Sequence, residues 1–147
     1  MYCTEYSAPI GRLLLASDGI AITDLHIDLS APGNAQSCPV LEQAILWLDA
    51  YFCGKSHPID FSLSPKGTPF QQRVWEALRN IPFGTTCTYG DIAREIGCRS
   101  PQAVGQAVGG NPIAIMIPCH RVVGSKGQLT GYAWGIEKKK WLLEHEK

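Results

Sequence analysis

No run of apolar residues in this chain approaches the roughly 20 needed to cross a bilayer. Met1-Tyr2-Cys3-Thr4-Glu5 also lacks the basic start of a secretory leader. The sequence thus predicts a soluble, intracellular protein. Paired cysteines are missing too: the six stand apart at Cys3, Cys38, Cys53, Cys87, Cys98 and Cys119. With no C-x-x-C, no H-x-x-x-H and no Cys/His cluster, neither a disulfide framework nor a metal site is expected, and the thiols should be reduced. Net charge is also lacking, because 13 Lys and Arg match 13 Asp and Glu. A uniformly basic coat for nucleic acid is therefore excluded, yet the zero conceals a split. Residues 1–65 carry two basic and seven acidic side chains, residues 66–147 eleven and six. One half repels polyanions and the other attracts them, unless the two halves merely pair with each other.

An apolar share of 45% supports a sizeable core, in one compact unit or two small ones. Tyr2 to Tyr6, Arg12 to Ala16 and Ile20 to His26 read as short strands joined by Pro9- and Gly19-containing turns. Pro39 to Phe52 reads as a helix with Leu41, Ile45, Leu48 and Phe52 on one face, and Ile59, Phe61 and Leu63 alternate as a further strand. This predicts a small α/β domain over 1–65, in which His26 and His57 are solitary and no catalytic constellation stands. Ser62 to Gly67 reads as the linker.

From residue 66 the pattern turns helical. Thr68 caps a helix with Pro69 first and a stripe of Phe70, Val74, Ala77, Leu78 and Ile81. Thr88-Tyr89-Gly90-Asp91 is a capping box opening a helix to Ile96, closed by Gly97, and Ser100-Pro101 starts another running to Gly109-Gly110. Helix, short glycine turn, helix is a helix-turn-helix arrangement. The second helix, Gln102 to Gly110, has no Arg, Lys or Asn to read major-groove edges. Its small residues suit either close helix packing or a slim helix entering the minor groove.

The candidate chemistry lies in Ile113-Ala114-Ile115-Met116-Ile117-Pro118-Cys119-His120-Arg121-Val122. Pro118 ends the apolar run and suits the first position of a helix, which would place Cys119 in a first turn whose free N–H groups favour a thiolate. His120 supplies a base beside it.

Pro118-Cys119-His120-Arg121-Val122 resembles the active-site signature of the O6-alkylguanine-DNA alkyltransferases. The resemblance runs from about Thr68 to the C-terminus, through Phe83-Gly84, Thr88-Tyr89, Ala103-Val104-Gly105, Gly110-Asn111-Pro112, Gly131-Tyr132-Ala133-Trp134-Gly135 and Trp141-Leu142-Leu143-Glu144-His145-Glu146. It implies a ribonuclease-H-like α/β scaffold over 1–65 without that enzyme's carboxylates, and over 66–147 a mainly α domain with a winged helix-turn-helix. It implies single-turnover repair, in which an alkyl group passes from O6-alkylguanine, or O4-alkylthymine, to Cys119 after the nucleotide is flipped from the duplex. His120 would take the thiol proton through a water, Glu146 would orient the imidazole, Tyr89 would donate to the departing guanine, and Asn111 would tie down the loop bearing Cys119. Val122, Tyr132, Ala133 and Trp134 would hold the base, with Trp134, where many relatives have glycine, narrowing the pocket toward bulky adducts. Arg121 would be structural, bridging the two domains.

Gln102, Ala103, Gly105 and Ser125 would meet double-stranded DNA along its minor groove, with Ser125-Lys126-Gly127 as the wing. Gln102 departs from the arginine usual at its position and loses one phosphate-attracting charge, so weaker affinity or slower flipping is expected. Lys138-Lys139-Lys140 reads either as a nucleic-acid patch or, more simply, as the solvated face of a last helix whose buried side holds Ile136 and Leu143. No cofactor or metal is implied, and the protein is expected to act as a monomer in the cytoplasm, at the nucleoid, or in a nucleus. Two competitors are a non-catalytic alkyltransferase-like lesion binder, against which the presence of Cys119 argues, and a cysteine hydrolase using Cys119 and His120.

Overall fold

The computed structural model describes residues 1–147. The chain divides into two compact units, Met1–Lys66 with Pro112–Ala114 and Gly67–Asn111 with Ile115–Lys147. No helix is long and apolar enough to cross a membrane.

In the first unit β1 (Tyr2–Ala8), β2 (Gly11–Ser17) and β3 (Ile22–Ile27) form an antiparallel meander. Alternation along β2 sends Leu13 and Leu15 into the core and leaves Leu14 half-buried. Helix α1 (Pro39–Phe52) packs against all three strands. Its buried face is Val40, Leu41, Ala44, Leu48 and Tyr51. Ile45 and Phe52, expected inside, are half-buried, because the face turned inward is centred on Leu41, Ala44 and Leu48 and leaves them at its edge.

The predicted strand at Ile59–Leu63 forms only one parallel bridge, Leu63 to Ile22. Pro58 and Pro65 flank it without N–H groups, so pairing cannot spread. The Ile22 N–H donates to the Ser62 carbonyl at 2.9 Å and the Ser64 N–H returns to Ile22 at 2.8 Å. Pro112–Ala114, remote in sequence, joins β3 in the same manner. The Leu25 N–H donates to the Pro112 carbonyl at 2.9 Å, and the Ala114 N–H to Leu25 at 3.0 Å.

The second unit holds α2 (Pro69–Arg79), α3 (Tyr89–Ile96), α4 (Pro101–Gly109) and α5 (Ile136–His145). A short parallel pair, β4 (Cys87–Thr88) with β5 (Val122–Val123), completes it. Local chemistry sets the helix starts. The Thr68 hydroxyl accepts from the Gln71 N–H at 3.1 Å while the Gln71 side chain accepts from the Thr68 N–H at 2.9 Å. Thr88 and Asp91 repeat the exchange at 3.0 and 2.9 Å, and the Ser100 hydroxyl accepts from the Ala103 N–H at 3.1 Å. Gly97, left-handed at φ 72°, lets the Cys98 N–H reach the Ala93 carbonyl at 2.8 Å and turns the chain from α3 into α4. Trp75, absent from the predicted stripe, is buried and donates from Nε1 to the Ala107 carbonyl at 2.8 Å, fastening α2 to α4. Where a wing is expected, residues 124–128 make a tight turn closed by the Gly124 N–H on the Gln128 carbonyl at 2.9 Å.

Candidate active site

Cys119 lies at the end of a segment held from both sides. Asn111, just after α4, donates from Nδ2 to the Ile117 carbonyl at 2.8 Å. Between them Ile115, a buried β-branched residue, adopts φ 70°, a conformation such residues rarely take. Nothing in the local sequence signals that reversal. Pro118 then leads into a single 3-10 turn, Cys119–Arg121, which runs directly into β5.

Three residues of 3-10 turn carry little of the macrodipole expected of a first helical turn. Burial, rather than the turn, dominates the thiol's environment. Cys119 is only 3% exposed, and burial pushes its thiol up from its ordinary value. Opposing that rise are the Asn111 side chain, the charge of Lys139 and the Tyr132 side chain. The site thus stores a neutral thiol among groups that favour its anion.

His120 is fully buried, and its Nε2 lies 2.6 Å from Glu146 Oε2. A carboxylate only accepts, so Nε2 carries the proton and Nδ1 the lone pair. That Nδ1 is buried and has no hydrogen-bond partner in the protein. Burial holds the imidazole below its ordinary value, outweighing the upward pull of Glu146. The nearby cations Arg121 and Lys139 add to that lowering, and Glu146 is itself ion-paired. Arg121 donates to both of its oxygens, from Nε at 2.8 Å and Nη2 at 3.1 Å. Arg121 also donates from Nη1 to the Ile81 carbonyl at 2.7 Å and lies over the Phe83 ring at 5.8 Å. All these partners belong to the second unit, where the arginine holds Glu146 against His120. A neutral imidazole with an open lone pair is a competent base at neutral pH.

A cavity of about 300 Å³ opens onto Cys119. Tyr89, Gly105, Tyr132 and Ala133 line it with the cysteine. Gly105 matters because a Cβ there would lie 3.8 Å from the Tyr89 ring, filling space the cavity uses. Trp134 does not line the cavity; it packs edge-on against Tyr132 with ring centres 5.3 Å apart. Val122 is fully buried in β5, paired with Cys87. Gln102 and Ser125 are exposed and Ala103 half-buried, all three away from the cavity lining. No group of three or more His, Cys, Asp or Glu side chains is placed to hold a metal ion.

Two residues of the site escape the sequence reading. Lys139 is fully buried, not solvated, and its Nζ donates to the Thr130 carbonyl at 3.2 Å. Burial lowers its pKa from the ordinary lysine value, while Cys119 pulls it upward. Ile136, expected inside, is exposed, because α5 turns Lys139, Leu142 and Glu146 toward the interior. Those three stand at helical spacing, so counting back from Glu146 rather than from the apolar residues would have found the lysine. Thr130 gave no signal at all. Its hydroxyl donates to the Tyr89 hydroxyl at 2.9 Å.

Comparison with known proteins agrees in both units. The 6-O-methylguanine DNA methyltransferase ribonuclease-like domain matches residues 1–65, and the DNA binding domain of the same family matches residues 69–147. The methylated-DNA–protein-cysteine methyltransferase of Mycobacterium tuberculosis (strain H37Rv) is 47% identical over 146 residues, covering 95% of this chain and 88% of its own. That of Methanosarcina barkeri is 44% identical over 156 residues, covering 100% and 98%. The solved Mycobacterium tuberculosis OGT in complex with DNA superimposes with a TM-score of 0.90 at 44% identity, covering 100% of this chain and 93% of that one. The chain belongs to the 6-O-methylguanine DNA methyltransferase family.

Proposed function

We propose that this protein repairs DNA by moving an alkyl group from the O6 of guanine in a duplex onto Cys119, once and irreversibly. The observation that carries this is a cysteine at the wall of a cavity of about 300 Å³, followed in sequence by a neutral, carboxylate-oriented imidazole. The reactive carbon of such a lesion is inside the base stack, so the nucleotide swings out at a cost of a few kcal/mol and enters the cavity. His120 takes the thiol proton at Nδ1 through a water, Glu146 holds the ring and offsets the imidazolium charge, and Arg121 holds Glu146 in place. As the anion forms, Asn111, Lys139 and Tyr132 stabilise it. The sulfur–carbon bond forms while the carbon–O6 bond breaks, and the electron pair moves into the purine. Tyr89 donates a hydrogen bond to the purine, and the thiol proton reaches it through His120 and solvent.

The domain of residues 66–147 presents α4 to the minor groove, with Gln102, Ala103 and Gly105 along the helix and Ser125 in the following turn. The domain of residues 1–65 acts as scaffold. A chain that is its own acceptor needs neither cofactor nor second subunit, and it works where chromosomal DNA is kept. Val122 and Trp134 enter this reading indirectly, through the backbone of β5 and through support of Tyr132.

The test is mass spectrometry after mixing with duplex containing O6-methylguanine. The expected result is one permanent gain of about 14 Da, a methylene, at Cys119 and none in Cys119→Ala. Binding without a mass gain would establish a lesion binder, and repeated turnover a hydrolase; either result overturns alkyl transfer.

A further inference from the structure

We propose that Thr130 is a positioning residue that aims the Tyr89 hydroxyl at the departing purine, an inference that rests on the alkyl-transfer reading. A phenol has one proton to give and lone pairs to accept with. The Thr130 and Tyr89 hydroxyl oxygens stand 2.9 Å apart, and with Thr130 as the donor the tyrosine accepts there and keeps its own proton for a different partner. Tyr89 lines the cavity that Cys119 lines, so that partner is whatever occupies the cavity.

Thr130 lies in the loop between β5 and α5, where no ladder or helix fixes it. What holds it is its carbonyl, which accepts from Lys139 Nζ at 3.2 Å. The lysine in turn is anchored by complete burial in α5. Lys139, Thr130 and Tyr89 therefore form one hydrogen-bonded chain between two charge-stabilising devices. At one end a cation favours the attacking sulfur; at the other a hydroxyl favours the leaving purine. When the sulfur–carbon bond forms and the carbon–O6 bond breaks, negative charge leaves the first device and arrives at the second. A tyrosine whose proton pointed at Thr130 instead would meet that charge with a lone pair.

The experiment compares Thr130→Val, which keeps the branched shape and loses the hydroxyl, with Thr130→Ser, which keeps it. Each is made in the wild type and in Tyr89→Phe, with Thr130→Ala as a second hydroxyl-free variant. Single-turnover methyl transfer at saturating duplex is measured by the mass gain, beside duplex affinity and the rate of Cys119 with iodoacetamide, whose iodide needs no donor. Thr130→Val should slow transfer about tenfold, the scale of one hydrogen bond, with affinity and iodoacetamide rate unchanged. Thr130→Ser should restore the rate, and Thr130→Val should add nothing in Tyr89→Phe. A Thr130→Val or Thr130→Ala rate equal to wild type overturns the role. So does an equal loss in the Tyr89→Phe background, or a parallel fall with iodoacetamide. Absence of any mass gain in the wild type overturns alkyl transfer itself, and this role with it.

Discussion

Lys139 carries a charge where the sequence offered only a run of three lysines, and it shows how a single buried residue changes the chemistry around it. Taking an ammonium out of water is unfavourable, which is why its pKa falls. Here the loss is offset by the Thr130 carbonyl and by whatever negative charge develops on Cys119. Lys139→Met keeps the length and apolar stem while removing the cation. The Cys119 thiol should then rise further, and methyl transfer at pH 7 should slow about tenfold. Iodoacetamide reactivity of Cys119 followed against pH checks this, and its profile should move to higher pH. Fold stability should hold or improve, since a buried charge replaced by an apolar group is often neutral or stabilising. Contrast Thr130→Val, which should leave that profile in place. Thr130→Val acts on the purine end alone, whereas Lys139→Met removes the cation beside the sulfur and also frees the Thr130 carbonyl.

Helices of the second unit were readable because their signals are local. Thr68, Thr88 and Ser100 each place a side-chain oxygen on an N–H three residues on, and Gly97 needs no neighbour to adopt φ 72°. Thr88 matters most, since its helix opens with Tyr89. Thr88→Ala should lower stability by about 1 kcal/mol, the usual value of such a cap, as read from a urea midpoint. Gly84 is a harder constraint: φ is 82°, and a Cβ would stand 3.0 Å from the Glu146 carbonyl. Gly84→Ala should therefore strain the left-handed turn and displace Glu146, lowering the melting temperature and slowing transfer together. Elements that depend on distant partners were not readable. Residues 59–63 alternate like a strand, yet a strand needs a partner along its length, and flanking prolines restrict them to a single bridge. Pro112–Ala114 pairs with β3 across many intervening residues, which no window of sequence reveals.

The stability of the whole molecule should register the buried triad. His120 is held neutral in the folded state by burial, whereas in the unfolded chain it titrates near its ordinary value of about 6.5. Below that pH the unfolded chain binds a proton that the folded one refuses, so stability is retained above about pH 6.5 and lost as pH falls toward the depressed folded value. Urea midpoints at pH 7.5 and 5.0 should show this loss, and His120→Asn should show less of it. At the alkaline end the raised Cys119 thiol gives the opposite sense: stability should fall as pH climbs above the ordinary thiol value, and less so in Cys119→Ala.

The chain by itself determined the helix boundaries and the change from strands to helices near residue 66, and it offered Pro118-Cys119-His120 as candidate chemistry. Each of these rests on spacing, caps or a contiguous motif, all of which are properties of neighbours along the backbone. Only the tertiary structure decided that burial raises the Cys119 thiol, that Arg121 pairs with Glu146, that Lys139 points inward, and that Thr130 meets Tyr89. Those facts depend on burial and on pairs separated by many residues. Desolvation and hydrogen bonding act through space, and a sequence encodes them without displaying them.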